Sequence, residues 1–210
     1  MLSRLTSHLL DEGGKRGPLS RHTVDTYVRN INLFLGWCQR EGEIGEVRAQ
    51  APKVPKHVLD VLDRAEIDRL EDAARTERDK VIVRLLADSG IRAGEALGLT
   101  PADLVERGRD RFIRVRGKGA KERLVPVQPQ LDRRLQRVAR GRPADERTDG
   151  LFVALRKRSG GGYPGLTVSG LDQLIRDLGQ RASLGKRVYP HLLRHSFATE
   201  MLNRGWTRSP

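Results

Sequence analysis

Apolar residues follow two rhythms along the chain: a three-to-four-residue spacing that dominates, and one short stretch of strict alternation. From Ser20, the residues Val24, Tyr27, Val28, Ile31, Phe34, Leu35 and Cys38 recur at successive three- and four-residue steps, which predicts one helix with these side chains on a single face. Ser20 suits its start, because a hydroxyl there accepts from a free backbone N–H, and Gly42 suits its stop. Asp63 followed by Glu66 has the form of a capping box, opening a helix with Ile67, Leu70, Ala73 and Ala74 inward. Val81, Ile82, Leu85 and Leu86 carry the next helix, ended by Asp88-Ser89-Gly90. Arg92 follows at once, ahead of a short helix with Glu95, Ala96, Leu97 and Leu99. Two more helices are marked by Leu131, Leu135 and Val138, and by Leu171, Leu174, Ile175 and Leu178.

The last predicted helix begins near Pro190, since proline fits the first turn of a helix and not its interior. On it His191, Arg194 and His195 lie three and four apart and so share a face. Leu193 and Phe197 form a neighbouring apolar strip that can be buried.

Alternation appears once. Arg111 to Arg116 reads charged, apolar, apolar, charged, apolar, charged, the texture of a half-buried strand. Gly117-Lys118-Gly119-Ala120-Lys121 makes a tight turn, and Arg123 to Val127 returns as a second strand, with Pro126 indicating an edge or a strand end. The expected fold is therefore mainly α with a small antiparallel β-sheet, an α+β architecture. Residues 1–18 have no decisive pattern. The stretch from Gly45 to Lys56 has two prolines and no periodicity, and reads as a linker. The expected organisation is an N-terminal helical domain over 1–50, a linker over 51–57 and a larger domain over 58–210.

Charge narrows the class of partner. Lys and Arg number 40 against 27 Asp and Glu, a net charge of +13, which favours a polyanion. Aromatic residues make up only 4%, which points to contacts with a phosphate backbone more than to stacked bases. A membrane surface is the other polyanion to weigh, but no apolar run approaches a membrane span and the N-terminus lacks a signal-peptide core. The single Cys38 excludes an internal disulfide and a multi-Cys metal site. The expectation is a soluble, cytoplasmic protein, with no membrane contact.

Three separated places present cations from turns or helix starts: Arg92, Lys118, and His191 with Arg194. Each alone has a plain explanation, such as a helix-cap partner, a solvated turn or a solvated basic face. The Gly-Lys-Gly turn lacks the spacing of a Walker loop. His191 and His195 lack the intervening Glu of a zinc-binding helix, and Arg194 would repel a cation, so no metal site is expected.

With their flanks the three places match a known pattern. Asp88-Ser-Gly-Ile-Arg92-Ala-Gly-Glu95-Ala-Leu-Gly-Leu99, followed by Asp103, resembles the first arginine box of the tyrosine recombinases, the phage integrase family. Gly117-Lys118-Gly-Ala-Lys121-Glu-Arg123-Leu-Val-Pro126 is similar to that family's β-hairpin, and Pro190-His191-Leu-Leu-Arg194-His195-Ser-Phe-Ala-Thr199 to its histidine–arginine box. Leu19 to Tyr27, with Phe34 and Trp37, resembles its helical, SAM-like core-binding domain. The resemblance runs through nearly the whole chain in the family's order.

The resemblance implies double-stranded DNA as partner, phosphoryl transfer through a phosphotyrosine intermediate in site-specific recombination, and assembly with other recombinase subunits. It implies that Arg92 and Arg194 clamp the scissile phosphate and stabilise its transition state, that Lys118 acts as general acid toward the leaving oxygen, and that His191 assists beside the phosphate. Lys121 and Arg123 would touch the DNA backbone, as would Arg21 and Arg29 on the first long helix. Glu95 would orient its own helix and His195 would be structural. No metal or other cofactor is expected, because the arginines neutralise the charge.

One part of the family pattern is missing. The nucleophilic tyrosine follows a further box that has no match after Met201, and Tyr27, Tyr163 and Tyr189 do not stand where it should. The expectation is a catalytic domain lacking its C-terminal tyrosine segment and inactive alone, or else a non-catalytic DNA-binding protein that blocks intact subunits.

Overall fold

The structure, a computed structural model, describes residues 2–13, 17–55, 60–117, 119, 121–143, 148–157 and 159–205. Two compact units divide the chain, Met1–Leu59 and Asp60–Pro210.

In the first unit, helix α1 (Leu2–Asp11) precedes helix α2 (Arg21–Arg40). Ser20 caps α2 as expected, its hydroxyl accepting from the Thr23 N–H at 3.2 Å. Val24, Val28 and Ala49 form the buried core, with Leu9, Leu10 and Leu19 packed around it. The face predicted for α2 is only partly inward: Tyr27 and Phe34 are exposed, and the Phe34 ring stacks on Trp37, also exposed, with centroids 6.0 Å apart. The apolar row is wider than the strip that α1 and the following segment cover. That segment is the start of the stretch read as a linker, and residues 45–50 in fact lie back along α2. The Asn32 amide exchanges two hydrogen bonds with the Ala49 backbone, and Gln39 donates to the Val47 carbonyl. Side-chain amides thus satisfy an extended backbone that has no ladder partner.

The second unit opens with α3 (Arg64–Asp72), where Asp63 and Glu66 form the predicted capping box. Then come α4 (Glu77–Ser89), the one-turn-plus α5 (Ala93–Leu97), a 3-10 turn (Pro101–Asp103) and three strands: β1 (Leu104–Arg107), β2 (Asp110–Arg116) and β3 (Glu122–Pro126). Helices α6 (Pro129–Arg140), α7 (Val168–Arg181) and α8 (Pro190–Asn203) complete it. The sheet is antiparallel in the order β1-β2-β3, so Pro126 ends an edge strand, where its missing N–H costs no ladder bond. Ile113 and Val115 of the central strand are fully buried. Strand β1 escapes the sequence pattern because its four residues, Leu-Val-Glu-Arg, are too short to show alternation.

Helix α4 forms the centre of this unit, with Val81, Ile82, Leu85 and Leu86 all buried in one core with Leu70, Leu135, Ile175 and Leu193. Helix α8 packs on α4, and the Ser196 hydroxyl fixes it further, accepting from the Leu62 N–H at 2.7 Å and donating to the Leu192 carbonyl. The fold is mainly helical with one small antiparallel sheet.

Candidate functional site

The site is assembled where the end of α4, the start of α5 and the first half of α8 meet. Helix α4 stops at Gly90 in the left-handed conformation, φ 59° and ψ 19°. Ile91 is buried, and Arg92 becomes the residue that opens α5. Glu95, one turn into α5, accepts from the Arg92 backbone N–H at 2.8 Å and from its Nη1 at 3.0 Å. The same carboxylate takes a two-pronged bond from Arg123 of β3, at 3.0 and 2.8 Å. Glu95 is buried, yet the Arg123 hydrogen bonds, helped by those of Arg92, outweigh that burial and hold its carboxyl down at about 2.

Arg194 approaches from α8. Its Nη1 donates to the Gly90 carbonyl, so the guanidinium grips the very turn that presents Arg92. Burial and the neighbouring positive charge of Arg92 both push the Arg194 pKa down. A concavity of about 450 Å³ opens here, lined by Ser89, Gly90, Arg92, Arg123, Val125, Arg194, Phe197 and Ala198. Of the apolar strip on α8, Leu193 is buried and Phe197 half-buried, its ring lying over Gly90 and forming a wall of the cavity.

The predicted residues divide as follows. Arg92, Arg123 and Arg194 come together around one cavity. His191 is exposed on the first turn of α8, one turn before Arg194. Lys118 lies outside the described residues. The turn that carries it is closed by the Gly117 N–H on the Lys121 carbonyl, at 2.8 Å, and Lys121 is exposed. Arg123 is drawn onto Glu95 instead of standing free. Arg21 and Arg29 belong to the first unit, where both are exposed and Arg29 pairs with Asp25 at 2.8 Å.

One functional feature has no counterpart among the predicted site residues. Asp103 is fully buried and accepts from the Thr100 N–H and hydroxyl at 2.9 and 2.8 Å, and Arg116 meets both its oxygens at 2.9 and 3.1 Å. Burial alone would raise its pKa, but the Thr100 hydrogen bonds and the Arg116 charge lower it. Arg116 also bonds Glu122 across the hairpin at 3.0 Å. Each of these two strands is thus tied, at its end next to the turn, to an acid outside the hairpin, β2 to fully buried Asp103 and β3 to Glu95. The only sequence signal was the acid after the first arginine box, whose partner stands 13 residues further on.

With this geometry in view, comparison with known proteins is specific. The model of the phage integrase family matches residues 60–209. The tyrosine recombinase XerD of Oceanobacillus iheyensis is 31% identical over 207 residues, covering 94% of this chain and 66% of that protein. The tyrosine recombinase XerA of Pyrococcus furiosus is 34% identical over 187 residues, covering 85% and 62% respectively. The chain spans about two thirds of the length of such relatives. Among solved structures, a XerA recombinase superposes with a TM-score of 0.62 at 31% identity, covering 97% of this chain and 69% of that one. The Tn1549 transposon integrase in complex with transposon right end DNA shares the fold, with a TM-score of 0.69 at 19% identity, covering 98% and 73%. A family model that spans the whole second unit's core and site, and relatives aligned along nearly the entire chain, lead to one conclusion: the chain belongs to the phage integrase family of tyrosine recombinases.

Proposed function

We propose that this chain binds duplex DNA as part of site-specific recombination, and that the cavity between Arg92 and Arg194 holds one phosphodiester of the backbone. The observation that carries this reading is a charge imbalance. Three guanidiniums, Arg92, Arg123 and Arg194, line a single cavity, and among the described residues Glu95 is the one carboxylate bonded to any of them there. Burial first, and then the nearby positive charge of Arg92, lower the affinity of Arg194 for its proton. A phosphate removes that penalty, since two guanidiniums can donate to its non-bridging oxygens. In this reading Arg92 and Arg194 contact the phosphate, His191 adds a hydrogen bond from the first turn of α8, and Lys118 is the general acid. Lys121, Arg21 and Arg29 add backbone contacts outside the cavity, and Arg123 chiefly seats Glu95. A XerH recombinase bound to its difH substrate shares the fold, at a TM-score of 0.67 and 20% identity, which is consistent with this partner.

The attacking group is the weak point of a full catalytic reading. None of Tyr27, Tyr163 and Tyr189 is among the residues that line the cavity. The residues around the cavity support gripping a phosphate, and a chain that grips without the covalent step would compete on a recombination site with subunits that carry it out. A nicked suicide substrate, in which a cleaved strand cannot be resealed, tests this. The expected result is duplex binding that weakens steeply with salt and gives no covalent adduct. A protein–DNA adduct would show that a nucleophile is supplied, and absence of duplex binding at low salt would overturn the reading altogether.

A further inference from the structure

We propose that Phe197 and Gly90 form a latch that sets the distance between Arg92 and Arg194, making Phe197 a positioning residue for the phosphate site. The inference rests on the phosphate-clamp reading above. Arg194 and Phe197 lie three apart on α8 and close on the same glycine from two directions. The Arg194 guanidinium donates to the Gly90 carbonyl, while the Phe197 ring covers its α-carbon. A methyl group placed on Gly90 would stand 2.2 Å from Phe197 Cδ1 and 2.8 Å from Cε1, far inside van der Waals contact. Gly90 is thus needed twice, for its left-handed backbone and for the close approach of the ring.

The consequence is a short mechanical path. Gly90 is followed by buried Ile91 and then by Arg92, whose backbone and side chain Glu95 holds. Glu95 holds the turn on its α5 side, and the contacts that hold it on the other side come from α8. A ring seated on the α-carbon stops the turn from moving closer, and a bond from Arg194 stops it from moving away. Phe197 also lines the cavity beside Gly90, Arg92 and Arg194.

The test follows inorganic phosphate titrated into the full chain, with binding read from the arginine Nε–H signals in ¹H–¹⁵N NMR. In the native chain the Arg92 and Arg194 signals should move together and saturate. Phe197→Leu should keep the protein folded and weaken phosphate binding by about fivefold. Arg92→Ala should weaken it by about tenfold, as loss of a charged hydrogen-bond donor does. A merely structural Phe197 would add its effect to that of Arg92→Ala. A latch predicts that Phe197→Leu causes no further loss in the Arg92→Ala background, because the group it positions is gone. Gly90→Ala serves as a second variant, expected to reproduce the Phe197→Leu loss, with Phe197→Leu/Gly90→Ala recovering part of it as the smaller side chain makes room. Signals that ignore phosphate in the native chain would overturn the clamp and the latch with it. Signals that respond in the native chain while Phe197→Leu titrates unchanged, or adds fully to Arg92→Ala, would overturn the latch and leave the clamp standing.

Discussion

The two units handle positive charge in opposite ways. In the first, Arg21 and Arg29 are exposed on α2, and Arg29 reaches down one turn to pair with the buried Asp25 carboxylate. The Arg29 side chain itself stays mostly in solvent, where salt screens it. In the second, cations are seated: Arg116 on fully buried Asp103, Arg123 on Glu95, and Arg194 on the Gly90 carbonyl. A loose arginine attracts any polyanion within reach, whereas a seated one can be aimed at a single oxygen. The difference is one between attraction and geometry, and it separates general affinity for DNA from a site able to hold one phosphate.

The largest effect should come from Asp103→Ala. It leaves Arg116 without its buried partner and frees the Thr100 donors, and should cost about 3 kcal/mol of stability, read as a lower midpoint in thermal denaturation. A midpoint within a degree of the native value would mean that the turn end of β2 is not tied as described. Glu95→Ala comes next, at about 2 kcal/mol, a figure reduced because Arg92 and Arg123 remain partly solvated. Its pH dependence has a definite sign. The Glu95 carboxyl is depressed to about 2 in the folded chain, from an ordinary value near 4.5. Its contribution is therefore complete above that ordinary value, and is lost as pH falls from there through about 2. The stability gap between the native chain and Glu95→Ala should close over this window, and a gap independent of pH would show that Glu95 is not ionised in its seat. The smallest structural effect belongs to Arg21→Ala, within about 0.5 kcal/mol of native stability, while Arg29→Ala, which takes a partner from the buried Asp25 carboxylate, should cost about 1 kcal/mol. Each should flatten the dependence of log K on log salt by about 0.9 for duplex DNA, if it touches a phosphate. An unchanged slope would remove that residue from the DNA contact.

Much of this was readable in the sequence, for reasons that are local. Ser20, the Asp63–Glu66 box and the Gly90 stop act within a turn of themselves, so their residue types reveal them. The hairpin was visible because alternation and a glycine turn are likewise short-range. Arg92 and Arg194 could be picked out because each stands at a recognisable element start within a motif. What brings them together is not local: the bond from Arg194 to Gly90 joins residues 104 apart. The exposure of Tyr27 and Phe34, the half-burial of Phe197 and the pairing of Asp103 with Arg116 all depend on which surfaces meet, and periodicity does not contain that. The segment 45–50 misled for a related reason. Two side-chain amides on α2 supply hydrogen bonds that its own composition gives no sign of.

The most direct test of the phosphate site compares the native chain with Arg92→Ala/Arg194→Ala in binding to a short duplex across a salt series. The pair of substitutions should leave most of the general attraction, since net charge falls only from +13 to +11 as the two positive groups are removed. If the two guanidiniums hold one phosphate together, the slope of log K against log salt should flatten by about 0.9, the value for one neutralised phosphate. A slope identical to that of the native chain, with both proteins folded and binding, would contradict the claim that Arg92 and Arg194 converge on the DNA backbone.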